Sequence, residues 1–129
     1  MVFRCAEAKR SRRDFVLDRD GDKCVYCEAD QRGPTFLDKC PVRLTMDHLL
    51  PISLGGPTIR SNLVACCGRC NSVRGNRDIV EWLLALKPRD TYRGERAVRM
   101  VLGALRSDMR TEAVELLLEQ VTAAFPYVR

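Results

Sequence analysis

The sequence holds one histidine, His48, in 129 residues. That scarcity excludes any site built from two or more imidazoles. Long apolar runs are also missing: none approaches the ~20 residues needed to span a bilayer. Behind Met1-Val2-Phe3-Arg4-Cys5 there is no apolar export core. A reducing cytoplasm is therefore the expected compartment, with no membrane partner. There is no internal repeat and no low-complexity segment. Between Asp47 and Asp78 there is no acidic residue, yet Arg60, Arg69, Arg74 and Arg77 all fall in that window.

Net charge is +5, which suits a nucleic-acid partner without establishing one. Lys9-Arg10-Ser11-Arg12-Arg13 is a second basic cluster. Each could equally be a solvated face. The length suits one domain, residues 1–129. Its hydrophobic content of 46% can supply a core.

Seven cysteines are plentiful for a chain of this length. Their odd number and the expected compartment favour metal binding over disulfides. Cys24/Cys27 and Cys67/Cys70 are two Cys-x-x-Cys pairs. A two-residue gap lets both thiolates of a pair reach one tetrahedral ion, so the pairs predict a closed four-sulfur structural zinc site. Thiolates select zinc over hard ions such as magnesium. Cys66 adjoins Cys67, but only Cys67 has the right gap to Cys70. One pair alone would be as well explained by inert buried thiols. Cys5, Cys40 and Cys66 are left for structural roles.

Periodicity places the elements. Residues 5–19 read as a helix, ended by the turn Asp20-Gly21. Residues 44–52 are an apolar, partly β-branched run interrupted by Asp47-His48, and read as a strand. Residues 63–65 suit a second strand, and residues 67–74 a helix stopped by Gly75. Asp78 with Glu81 resembles a capping box, opening a helix closed by Pro88. Residues 95–106 and 108–125 suit two more helices. Their apolar stripes read as core packing. The expected fold class is α+β.

Between the cysteine pairs the chain reads Asp47-His48-Leu49-Leu50-Pro51, then Gly55-Gly56, Asn62-Leu63, and Cys67-Gly68-Arg69-Cys70-Asn71. In order and content this resembles the HNH endonucleases, across about residues 19–77. The resemblance implies a small ββα-metal (His-Me finger) core with zinc knuckles, here flanked by N-terminal and C-terminal helices, the latter over about residues 78–126. It also implies metal-dependent hydrolysis of DNA phosphodiesters. Asp47 and Asn71 would bind the catalytic ion, His48 would activate water, and Asn62 would hold the loop carrying the base. Histidine suits that base role because its ordinary pKa lies near neutrality. The third family position is Asn71 rather than histidine, and its amide oxygen favours Mg2+ or Mn2+. Arg74 stands where the family often carries a basic residue, and with Arg69 and Arg77 it is expected to grip DNA phosphates.

Alternation along a regular strand would turn Asp47 and His48 to opposite faces, so a bulge or bend is expected there. A rival reading is a non-catalytic zinc module that binds nucleic acid or protein. It explains the cysteines and the charge, but not Asp-His and Asn-Leu between them. A third is the nuclease subunit of a phage packaging or restriction system. A homodimer or larger nuclease assembly would let two sites cut opposite strands.

Overall fold

The computed structural model describes residues 11–30, 43–86, 91–107 and 110–128. Cys5, Cys40, Lys9, Arg10 and Pro88 lie outside them. The first helix, α1 (Arg12–Arg19), begins where the Ser11 hydroxyl accepts the Asp14 amide at 3.0 Å. Ser11 itself is extended, with ψ 160°. A helix running unbroken from Cys5 is therefore corrected to one starting at Arg12. Val16 and Leu17 turn inward.

Two strands follow, β1 (Leu44–His48) and β2 (Leu63–Cys67). They pair antiparallel, with Leu44 opposite Cys67 and His48 opposite Leu63. The register is continuous, so the expected bulge at Asp47-His48 is absent. β1 also ends sooner than its apolar run implies. Beyond His48, the Leu49 amide donates to the Asn62 carbonyl and the Leu50 amide to the Asn62 side chain. These bonds turn the chain out of the ladder.

Every residue of β2 is buried. Its second edge is covered rather than left open. The Ala65 amide donates to the Asp20 carboxylate at 2.8 Å, and the Ala65 carbonyl accepts from Val25 at 3.0 Å. Edge groups that would otherwise lose their water thus have partners. Arg19 secures the α1 end, donating to the carbonyls of Arg60 and Leu63 and pairing with Asp20.

The helix α2 (Gly68–Arg74) leaves β2 directly. Gly75, at φ +56°, stops it as expected. Three longer helices complete the described chain: α3 (Ile79–Leu86), α4 (Thr91–Leu105) and α5 (Glu112–Ala124). The Asp78 carboxylate accepts from the amides of Val80 and Glu81, and so caps α3. α4 starts one turn before the expected Glu95, because Gly94 is carried inside the helix. Thr111 caps α5 through the Val114 amide, and its expected start at residue 108 moves to Glu112.

The apolar stripes do pack as core. Ile79, Trp82 and Leu83 of α3, Val98, Val101 and Leu102 of α4, and Val114, Leu117 and Val121 of α5 are all buried. They join one cluster with Val16, Leu44 and Val64 from the sheet side. The fold is α+β: a two-stranded antiparallel sheet leading into a helix, with further helices on either side in sequence. Among the described residues no helix is long and apolar enough to cross a membrane.

Candidate active site

The two Cys-x-x-Cys pairs converge. The sulfurs of Cys24, Cys27, Cys67 and Cys70 all lie within 4.8 Å of one another, and those of Cys27 and Cys67 are 3.6 Å apart. A tetrahedral zinc with sulfur bonds of about 2.3 Å needs sulfurs about 3.8 Å apart, so the set fits that ion. Cys67 is also the N-cap of α2, its sulfur accepting the Cys70 amide at 3.4 Å. Cys66 contacts Cys24 but is not one of the four converging sulfurs, its thiol donating to the Cys67 carbonyl at 3.3 Å, and Cys67 rather than Cys66 completes the set. Hydrogen bonds from Cys27, Cys66 and Cys70 hold the Cys24 thiol far below its usual pKa. The same contact with Cys24 pushes the Cys27 and Cys70 thiols up. Crowded thiols resist carrying several negative charges at once, and a divalent cation removes that resistance.

The knuckle residue between the first two cysteines has a second task. The Tyr26 hydroxyl donates to Oδ2 of Asp47 at 2.7 Å, in the interior. Arg74 donates to the same oxygen at 2.6 Å. The Arg74 guanidinium also donates to the carbonyls of His48 at 2.9 Å, Leu49 at 2.8 Å and Arg77 at 3.2 Å. Arg74 is 1% exposed. Its placement corrects the expectation that it grips phosphate: its donors face the end of β1.

Asp47, His48 and Asn71 line one shallow cleft of about 260 Å³, with Met46, Pro51 and Gly75. A cleft at the end of a strand is reached from both faces, which is how Asp47 and His48 share it without a bulge. Oδ2 of Asp47 is taken by Tyr26 and Arg74, while Oδ1 has no hydrogen-bond partner among the described residues. The Asn71 amide nitrogen donates to the Thr45 hydroxyl at 3.4 Å, and that hydroxyl donates to the Cys66 carbonyl. Asn71 is thereby oriented with its Oδ1 left without a partner among the described residues. Two hard oxygen donors, one of them charged, suit Mg2+ or Mn2+ better than a soft ion.

Nε2 of His48 lies 3.0 Å from the Thr58 hydroxyl. Partial burial lowers the His48 pKa, against an opposing pull from the Asp47 charge.

Asn62 is fully buried and does not line the cleft. Its Oδ1 accepts the Leu50 amide at 2.8 Å, and its Nδ2 donates to the carbonyls of Leu50 at 3.1 Å and Pro57 at 2.9 Å. One amide thus clasps both ends of the loop after His48. Gly56 lets that loop close, because a Cβ there would overlap the Leu50 carbonyl and sit 2.8 Å from the Pro51 oxygen.

Of the other two expected phosphate contacts, Arg77 is exposed and follows Gly75 and Asn76 on the cleft rim. Arg69 is exposed on the other side of α2, where it lines a separate cavity of about 300 Å³ with Arg93 and Trp82. Sequence reading missed Tyr26, Thr45 and Thr58. Tyr26 carried one signal, its place inside a cysteine pair. The two threonines carried none.

Residues 24–78 match the family model described as HNH endonuclease. The chain is 35% identical over 81 residues to the CRISPR-associated endonuclease Cas9 of Corynebacterium diphtheriae. That match covers 59% of this chain and 7% of the relative. Among solved structures, the Type IV phosphorothioation-dependent restriction endonuclease ScoMcrA is similar at a TM-score of 0.43 and 23% identity. There the match covers 75% of this chain and 17% of the other. The chain thus spans a small part of both proteins. The segment matched by the HNH endonuclease family model runs from the first cysteine pair through Asp47-His48 and Asn62 to just beyond Cys70-Asn71.

Proposed function

We propose that this chain is a metal-dependent DNA endonuclease that hydrolyses phosphodiester bonds, with His48 as general base. The observation that carries this reading is the cleft shared by His48 and two oxygens without a partner among the described residues, Oδ1 of Asp47 and Oδ1 of Asn71. Those two residues would hold a Mg2+ or Mn2+ ion, distinct from the zinc held by Cys24, Cys27, Cys67 and Cys70. When bound, that ion supplies positive charge to the scissile phosphate and the leaving oxygen.

The chain's own groups do the rest. Burial lowers the His48 pKa, so the ring is neutral at neutral pH and can take a proton. His48 accepts it from a water whose oxygen forms the new bond to phosphorus. The bond to the 3′ oxygen breaks, leaving a 5′-phosphate and, after that oxygen takes a proton from solvent, a 3′-hydroxyl. Arg77, exposed next to the cleft-lining Asn76, contacts the DNA backbone, which positions the duplex without reading its sequence. Asn62 acts at one remove, by holding the loop beyond His48.

Plasmid nicking tests this reading. The control is omission of Mg2+ and Mn2+ rather than a chelator, because a chelator also attacks the thiolate site. Wild type should nick only when the ion is added. His48→Ala should cut about 10²–10⁴-fold more slowly, the usual worth of a general base. Asn71→Ala should need more Mn2+. A His48→Ala protein that nicks at the wild-type rate would remove His48 from the chemistry. Binding without cleavage by every form would favour a non-catalytic zinc module.

A further inference from the structure

An imidazole that is to take a proton from water must present a lone pair to that water. A neutral ring carries one N–H and one lone pair, and the two nitrogens can exchange these roles. In His48 the nitrogens are not equivalent. Nε2 lies 3.0 Å from the Thr58 hydroxyl. Nδ1 has no hydrogen-bond partner among the described residues.

We propose that Thr58 is a positioning residue for His48: its hydroxyl accepts Nε2–H, fixes that tautomer, and leaves Nδ1 as the nitrogen that accepts the water proton. This rests on the reading of His48 as the base. Were the hydroxyl to donate instead, the ring's lone pair would be covered by Thr58 and Nδ1 would carry the hydrogen. The ring would then be unable to act at either nitrogen.

The hydroxyl is held in place from the interior. Thr58 follows Pro57, whose carbonyl accepts the Asn62 Nδ2 at 2.9 Å. Asn62 is in turn fixed by both backbone groups of Leu50, two residues beyond His48. A buried amide therefore sets the distance between the strand end that carries His48 and the loop that carries Thr58. Restricting the ring in this way resembles the orienting partner found beside many catalytic histidines. Here the partner is neutral, so it selects the tautomer without adding a second charge beside Asp47.

The single histidine makes the test direct. Nitrogen-15 NMR of the zinc-loaded full chain, at about pH 8 where an ordinary ring is neutral, reports one tautomer pair, belonging to His48. Wild type should show Nε2–H as the dominant form. Thr58→Ala and Thr58→Val should shift the ring toward a mixture, and Thr58→Ser should restore the wild-type signature. In the nicking assay, Thr58→Val should lower kcat roughly two- to tenfold, the worth of one hydrogen bond, with KM unchanged and with Ser rescuing it. A dominant Nδ1–H form in wild type would overturn the proposal. So would a Thr58→Val protein with unchanged tautomer and unchanged kcat. The tautomer measurement needs no cleavage, so a failure of the nuclease reading and a failure of the Thr58 role can be told apart.

Discussion

Replacing Arg74 with methionine separates two roles for the same residue. Methionine keeps an unbranched apolar stem of similar length and removes all donors. In the structure those donors reach Oδ2 of Asp47 and the carbonyls of His48, Leu49 and Arg77. Asp47 is itself 6% exposed, so the variant leaves a buried carboxylate with Tyr26 as its remaining donor. Removing one partner of a buried ion pair costs about 3–5 kcal/mol, most of it from the charge left behind. Domains commonly have ~5–15 kcal/mol in total, so the loss is a large fraction of the whole. For a chain of this length it corresponds to a fall of roughly 10–20 °C in Tm. Trp82 is the single tryptophan and is buried, so its fluorescence reports unfolding. Zinc must be held saturating in every sample, because a ligand of the folded state shifts the apparent stability. Arg74→Lys should fall between the two, since an ammonium replaces the charge but not the planar fork. The opposite result is well defined. A phosphate-gripping Arg74 would give a methionine variant within about 0.5 kcal/mol of wild type, with weaker DNA binding and a salt slope reduced by about one. That outcome would refute the buried role.

Tyr26→Phe removes the other donor to Asp47 and should cost about 1.5–3 kcal/mol, the usual worth of a hydrogen bond to a charged group. Equal unfolding midpoints for this variant and wild type would show that the hydroxyl–carboxylate bond contributes nothing. Elemental analysis should find one zinc per chain, and Cys24→Ser should lose both the zinc and the cooperative unfolding transition, because metal binding at such a site is part of folding. Cleavage should fall on the acid side as His48 takes a proton. Burial depresses its pKa, so the midpoint of that limb should lie below the ordinary value of about 6.5. The same shift means the unfolded chain binds the proton more readily. The stability from a neutral His48 is therefore present above about pH 6.5 and lost as pH falls through the lower folded value. A pH–rate profile with its acid midpoint above 6.5 would contradict this.

Local chemistry was the legible part. A Cys-x-x-Cys spacing constrains two thiolates over three residues, and the zinc set of Cys24, Cys27, Cys67 and Cys70 came together as that spacing requires. The order Asp47-His48, Asn62, Asn71 was likewise readable, as was the period of the apolar stripes on α3 and α5. Helix starts were less so. A β-region cap such as Ser11 or Thr111 moves the first turn by several residues without altering the stripe behind it.

What the residues' order could decide was which groups can meet within a turn or two of chain. Which distant groups meet depends on how β1, β2 and α2 cross, and there the sequence is silent. Arg69, Arg74 and Arg77 look alike as basic residues within or just after the second cysteine pair. The tertiary structure sends Arg74 inward to an aspartate 27 positions away, leaves Arg77 exposed one residue beyond the cleft-lining Asn76, and turns Arg69 to a separate cavity. Tyr26 reaches Asp47 from 21 positions away, and Thr58 meets His48 only because Asn62 closes the intervening loop. The physical reason is common to all three. A side chain's partners are set by which face of its element is covered, and that covering is made by chain far away in the sequence.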